Sequence, residues 1–221
     1  MISERYRTDY AGEFVILETR WSGGKKTEKR EWIENPIQNQ HISGRAACIG
    51  NSVDQTQFNY TILQKHRGGL LGSKKLQTYG VGAIAQQMRL DFTVESNTDT
   101  LTQLMSTDYQ ENNIVYTTPR NCMTHPGQFY LVPYTPHTLD IATLLYLAAF
   151  DGHQEVFLLG YNKDTPIENT NWIGQVRSVL DAYAGVKFCF VGTASNMFDD
   201  WLSAPNAITM NYREFISYCD V

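Results

Sequence analysis

"DIATLLYLAAFDGHQEVFLLGYNKD", residues 140–164, decides the fold of this 221-residue chain. Leu139, Ala142, Thr143, Tyr146, Ala149 and Phe150 keep helical spacing, and Leu144, Leu145 and Leu147 make the helix apolar nearly all round. Such a helix packs against a sheet and other helices at once. Gly152 is placed to end it. Glu155-Val156-Phe157-Leu158-Leu159 follows as a continuous apolar strand, the pattern of a parallel sheet covered on both faces. The strand stops on Gly-Tyr-Asn-Lys-Asp, so it delivers polar groups at its carboxyl end.

The same rhythm extends in both directions. Strands are expected at 45–49, 76–82, 90–94, 114–118, 128–132, 186–191 and 207–210, and helices at 83–88, 98–109, 171–183, 195–202 and 213–218. Alternating strands and helices imply right-handed crossovers and a mostly parallel sheet, that is, an α/β Rossmann-like domain over 45–221. Residues 13–33 read instead as a β-hairpin turning at Ser22-Gly23-Gly24. With a polar connection to Gly44, they form an N-terminal appendage over 1–44.

Composition narrows the function. The chain is 42% hydrophobic, enough for a proper core, and has no apolar run long enough to span a membrane. Its first residues are charged and polar, unlike a secretory signal. Four scattered cysteines, without C-x-x-C, read as reduced thiols of a cytoplasmic protein and give no zinc pattern. The net charge of −5 argues against a general nucleic-acid binder but allows a local basic strip, Lys25 to Arg30, which also suits a solvated hairpin tip.

In an open parallel sheet, ligands bind outside the carboxyl ends of the strands, near the point where strand order reverses. The strand ends here are Gly50-Asn51-Ser52, Gly80-Val81-Gly82, Glu95-Ser96-Asn97, Thr118 to Asn121, Gly160 to Asp164 and Gly192 to Asn196. Glycine admits a close ligand, and asparagine offers donors and an acceptor to a base or ribose. Taken together, these ends point to a nucleotide-like ligand, although each alone is ordinary turn composition. No P-loop is present, and "YGVGAIAQ" matches a dinucleotide fingerprint only in part. No nucleophile elbow occurs. His137 is the histidine best placed for chemistry, with Asp140 nearby, either facing the same ligand or capping the helix. His153 reads as a surface turn residue. Asn162 and Asp164 could meet a sugar or a metal, although no metal-binding arrangement of acids is evident. Asp199-Asp200 read as a solvated face.

Four stretches carry a family resemblance over residues 45–206. "AAFDGHQEVFLLGYNKD", "AACIGNS" and "VKFCFVGTASNMFDDWLSAPN" resemble the corresponding strand ends of bacterial CMP-sialic acid sialyltransferases. "YGVGAIAQQMRLDFTVESN" is similar to a unit of the related flagellin-glycosylation accessory factors, which are themselves 6-hydroxymethylpterin diphosphokinase-like. The resemblance implies a glycosyltransferase-like enzyme whose substrate is a nucleotide-sugar, with no separate cofactor. Gly50, Asn51, Ser52, Gly80, Ser96, Asn97, Thr138, Asn162 and Lys163 would then meet the donor. Asp140, Asp164 or His137 would act as base, because no histidine follows His153 and Lys163-Asp164 stand where the family has tyrosines. Two readings stand beside it: a pterin-type pyrophosphokinase-like enzyme, and a non-catalytic nucleotide-binding protein. The chain's character is also similar to tailed-phage accessory enzymes, some of which modify DNA with sugars. That implies a hydroxymethylated DNA base as acceptor, approached through the basic hairpin.

Overall fold

The computed structural model describes residues 4–7, 12–34, 44–66, 76–132, 140–165 and 171–219. Among the described residues there are two sheets, which share no strand.

The smaller sheet is antiparallel: β1 (Glu4–Arg7), β2 (Gly12–Ser22) and β3 (Lys25–Glu34), with β2 at its centre. The turn falls on Gly23 and Gly24, both at positive φ (55° and 76°). That backbone matches the twist of the flanking strands and is open to glycine at little cost. The hairpin is the expected one; β1 is additional, too short and polar to be read from sequence.

The larger sheet has eight strands, with every neighbouring pair parallel. In chain order these are β4 (Arg45–Ile49), β5 (Gln77–Val81), β6 (Phe92–Val94), β7 (Ile114–Thr117), β8 (Tyr130–Leu131), β9 (Glu155–Leu159), β10 (Lys187–Val191) and β11 (Ala207–Met210). In space they run β11-β10-β9-β4-β5-β6-β7-β8. The chain therefore builds outward from β4 to one edge and crosses back over the sheet. It then builds outward again from β9 to the other edge. The switch point lies between β4 and β9, which pair from Arg45↔Glu155 to Ile49↔Leu159.

The crossing element is α5 (Asp140–Phe150), preceded in the chain by α1 (Gly82–Ala85), α2 (Thr98–Ser106), α3 (Tyr109–Asn112) and α4 (Pro119–Thr124). Residues 141–150 are all buried, and α5 lies over β4, β5, β6 and β9. α6 (Trp172–Ala182), α7 (Asp199–Leu202) and α8 (Tyr212–Cys219) follow. Alternate strand residues serve opposite layers. Phe190 of β10 stacks on Trp201 of α7 at 5.4 Å, whereas Phe157 of β9 meets Phe215 of α8 at 5.1 Å. A sheet covered on both faces needs the uninterrupted apolar strands seen in the sequence.

His153 corrects the expectation of a surface turn: it is fully buried. Gly152 (φ 92°) turns the chain after α5, and the residues on either side of it, Asp151 and His153, are both buried. There the Tyr79 hydroxyl donates to Asp151 (2.6 Å) and lies 2.9 Å from His153 Nε2. Burial, with Asp151 beside it, pushes the Tyr79 phenol well above its ordinary range, so it stays a donor. Tyr79→Phe removes the shared hydroxyl from a dry network. It is expected to lower stability by about 1–2 kcal/mol in urea denaturation. An unchanged midpoint would mean the network contributes nothing.

Candidate functional site

The carboxyl ends of β4, β5, β6, β9 and β10 lie along one edge of the sheet, because all these strands run the same way. Polar side chains link them pairwise. Asn162, after β9, donates through Nδ2 to the Ser52 carbonyl after β4 (3.1 Å), and its Oδ1 accepts the Asp164 N–H (3.0 Å). Asn196, after β10, donates to Asp164. Asn121, after β7, donates to Thr117 Oγ1 and to the Ser96 carbonyl after β6, both at 2.9 Å. Asp140, at the start of α5, accepts from the N–H (2.8 Å) and hydroxyl (2.9 Å) of Ser96.

Several expected ligand contacts are engaged within the protein. The Gly50 N–H donates to the Leu159 carbonyl (2.8 Å). A β-carbon on Gly50 would press at 3.1 Å on both Gly160 O and Ile141 Cδ1, so packing alone accounts for that glycine. Gly80 lies against Leu90, where a β-carbon would sit 2.5 Å from Cδ1. Asn97 caps α2, accepting from Asp99 N (2.9 Å) and Thr100 N (3.0 Å). Lys163 Nζ donates to the Ser195 carbonyl (3.2 Å). Asn51 is exposed beside the switch point. His137 and Thr138 lie outside the described residues.

Two features go beyond this internal linkage. The first is a carboxyl pair. Glu95 follows β6, is only 7% exposed, and lies against Asp140. Glycine at position 82 makes its room, since any side chain there would collide with the Glu95 carboxyl and with Thr100. Burial, then the neighbouring Asp140 charge, push the Glu95 carboxyl up to about 7, against opposing backbone hydrogen bonds from the N–H groups of Asn97 (2.7 Å) and Ser96. Burial also raises Asp140, although Ser96 opposes this. Two acids sharing an enclosed site cannot both ionise cheaply, so the pair keeps a proton until the pH approaches about 7.

The second is a polar hollow of about 80 Å³ between the loops after β4, β9 and β10, with Tyr212 of α8 on its wall. It sits at the switch point. The Ser52 hydroxyl is buried there without a hydrogen-bond partner. Asp164 reaches this hollow, whereas Asp140 belongs to the carboxyl pair. The two are connected through α5: Ile141 touches Gly50, and the buried Tyr161 hydroxyl donates to the Ile141 carbonyl (2.7 Å).

Sequence reading placed Glu95 at a strand end but gave it no role. Its burial depends on the glycine thirteen residues earlier and on a helix from the far side of the chain. Asp54 and Tyr212 were not singled out, because neither ends an apolar strand.

The hairpin's charge is largely self-matched. Glu28 pairs with Lys26 and Arg30 (both 2.6 Å), and Glu18 with Arg20 (2.7 Å). Among the described residues, no helix is long and apolar enough to cross a membrane, and no group of three His, Cys, Asp or Glu converges as a metal site would require.

No family model matches the sequence, and no curated protein matches it. Among solved structures, the chain is similar to the sialyltransferase CstII from Campylobacter jejuni, determined in complex with a substrate analogue, cytidine-5'-monophosphate. Identity is 10% and the TM-score 0.41, over 73% of this chain and 85% of that one. A likeness this distant carries nothing about the chemistry of this chain, which rests on its own residues.

Proposed function

We propose that the chain is a glycosyltransferase-like enzyme that binds a nucleotide-sugar along the carboxyl edge of its parallel sheet. The observation that carries this reading is a polar hollow at the β4/β9 switch point together with a proton-holding carboxyl pair along the same edge of the sheet. Open parallel sheets bind nucleotides at such a reversal. Sugar transfer also needs a group that takes a proton near neutral pH.

In this reading Asp140, the more open member of the pair, accepts the proton of the acceptor hydroxyl. The acceptor oxygen forms its bond to the sugar carbon, and the nucleotide leaves with the electrons of the bond that breaks. Glu95 sets how readily Asp140 takes that proton. The alternative of a non-catalytic nucleotide binder is favoured by one observation: the candidate bases Asp140 and Asp164 both have their carboxylates engaged, by Ser96 and by Asn196.

The test is incubation with radiolabelled CMP-, UDP- and GDP-sugars, following both equilibrium binding and nucleotide release, with water, free sugars and hydroxymethylated DNA as acceptors. The expected result is binding of one nucleotide class, with transfer to an acceptor. Binding without release or transfer would establish the non-catalytic alternative. Failure to bind any donor would overturn both.

A further inference from the structure

The hollow beside Tyr212 has a chemistry of its own. Asp54 lines it and is held as an anion, because its carboxylate accepts from Thr56 N (2.9 Å), Thr56 Oγ1 (2.6 Å) and Gln57 Nε2 (2.6 Å), which draw its pKa down. Asp164 lines it from the other side, with one oxygen taken by Asn196. Among the described residues, the lining contains no lysine or arginine. Lys163, the nearest in sequence, directs its ammonium to the Ser195 carbonyl. Two carboxyls without a facing cation make a poor seat for a phosphate.

The remaining lining suits hydroxyls. The Ser52 hydroxyl is buried and unpartnered, and leaving such a group unsatisfied costs about 1–3 kcal/mol. Thr193 and the Tyr212 hydroxyl complete the polar wall, and Val191 and Met197 supply apolar surface. The Tyr212 ring is fixed by stacking on Phe58 at 5.3 Å. Carboxylates accept from vicinal hydroxyls, serine and threonine both give and accept, and apolar side chains meet the C–H face of a ring. The volume admits the hydroxyl-bearing edge of one ring and leaves the rest outside.

From this we infer that the hollow is a sugar subsite: it binds a neutral, polyhydroxylated ring through Ser52, Asp164 and Thr193, and it is not the phosphate site. The assignment rests on the sugar-transfer reading for its place in a reaction. The binding itself is measured without any donor, so the two fail separately.

The experiment is a titration of the ¹⁵N-labelled protein with glucose, galactose and N-acetylglucosamine in turn, and in parallel with inorganic phosphate and with ethanolamine. Saturable shifts of the Ser52, Gly192 and Thr193 amides are expected with at least one sugar and with neither control. Ser52→Ala and Thr193→Val should each weaken that sugar about tenfold while leaving the spectrum otherwise folded. Asp164→Asn should weaken it at least as much. Shifts of these amides by phosphate or ethanolamine in place of the sugars would overturn the assignment. So would the absence of shifts with all three sugars, or variants that bind as the parent does. A donor that binds and reacts while these amides stay still would sink the subsite and leave the transfer reading standing.

Discussion

Glu95→Gln is expected to make the protein more stable at pH 8, by about 3 kcal/mol, while leaving it unchanged near pH 4.5. The Glu95 carboxyl moves from an ordinary 4.5 to about 7 in the folded protein. The folded state therefore holds this proton more tightly than the unfolded chain. The stabilisation is complete below about pH 4.5, and it is lost as pH rises to about 7. A displacement of this size in a largely buried group corresponds to about 3 kcal/mol. Glutamine has the shape of the protonated acid, keeps an oxygen for the Asn97 N–H, and can donate to Asp140. It never ionises, so the slope between about pH 4.5 and 7 should flatten, with a shallower dependence left from Asp140. Urea denaturation of both proteins across this range decides the matter. Parallel stability curves would mean that Glu95 and Asp140 do not share a proton.

Gly160→Ala works in the opposite direction: it should destabilise the protein by about 3 kcal/mol or more, and should remove ligand binding at the switch point as well. Gly160 has φ 75°, and a β-carbon on it would lie 2.7 Å from Val53 N, 2.9 Å from Gly50 O and 3.0 Å from Ser52 C. All three are backbone atoms, so no side chain can swing aside. The loop after β4 would have to lift from β9, straining the Gly50–Leu159 hydrogen bond and the Asn162–Ser52 link. Gly127→Ala is the control. It has a similar φ of 78° but open space around it, so it bears only the left-handed backbone cost of about 1–2 kcal/mol. If thermal and urea denaturation place the two variants level, the contact between these loops is looser than described.

The sheet was legible in the sequence for a definite reason. Strands β4, β9 and β11 fall where expected because each is a short run bounded by loop residues, and α5 because it is apolar on every side. The edge strand β8 was harder. Its two residues, Tyr130 and Leu131, are exposed, so no burial pattern marks their limits.

The candidate site was legible in location but not in role. Strand ends must satisfy their own loose backbone groups, and they use Asn, Asp, Ser and Gly to do it. Those are also the residues a nucleotide would need. Asn97 is a helix cap and Asn162 a clasp between loops, and composition cannot separate such duties from recognition. Glu95 was hidden for the opposite reason. An acid after a strand looks solvent-facing until Gly82 and Asp140 are brought to it by the fold. His153 shows the same limit: Gly152 ends the helix as read, but the next residue is buried against the Tyr79 hydroxyl, which the fold brings from 74 positions away.

The β4/β9 pairing also bears on how this protein comes to be folded. Its clasp joins Asn162 to Ser52, 110 positions apart. On the ribosome, β4 emerges long before its neighbour β9 exists, and until then one of its sides is an open hydrogen-bonding edge. Such distant partners make assembly slow, and they leave nascent or truncated chains prone to sticking to one another. A fragment ending before residue 155 should therefore aggregate rather than form half a domain.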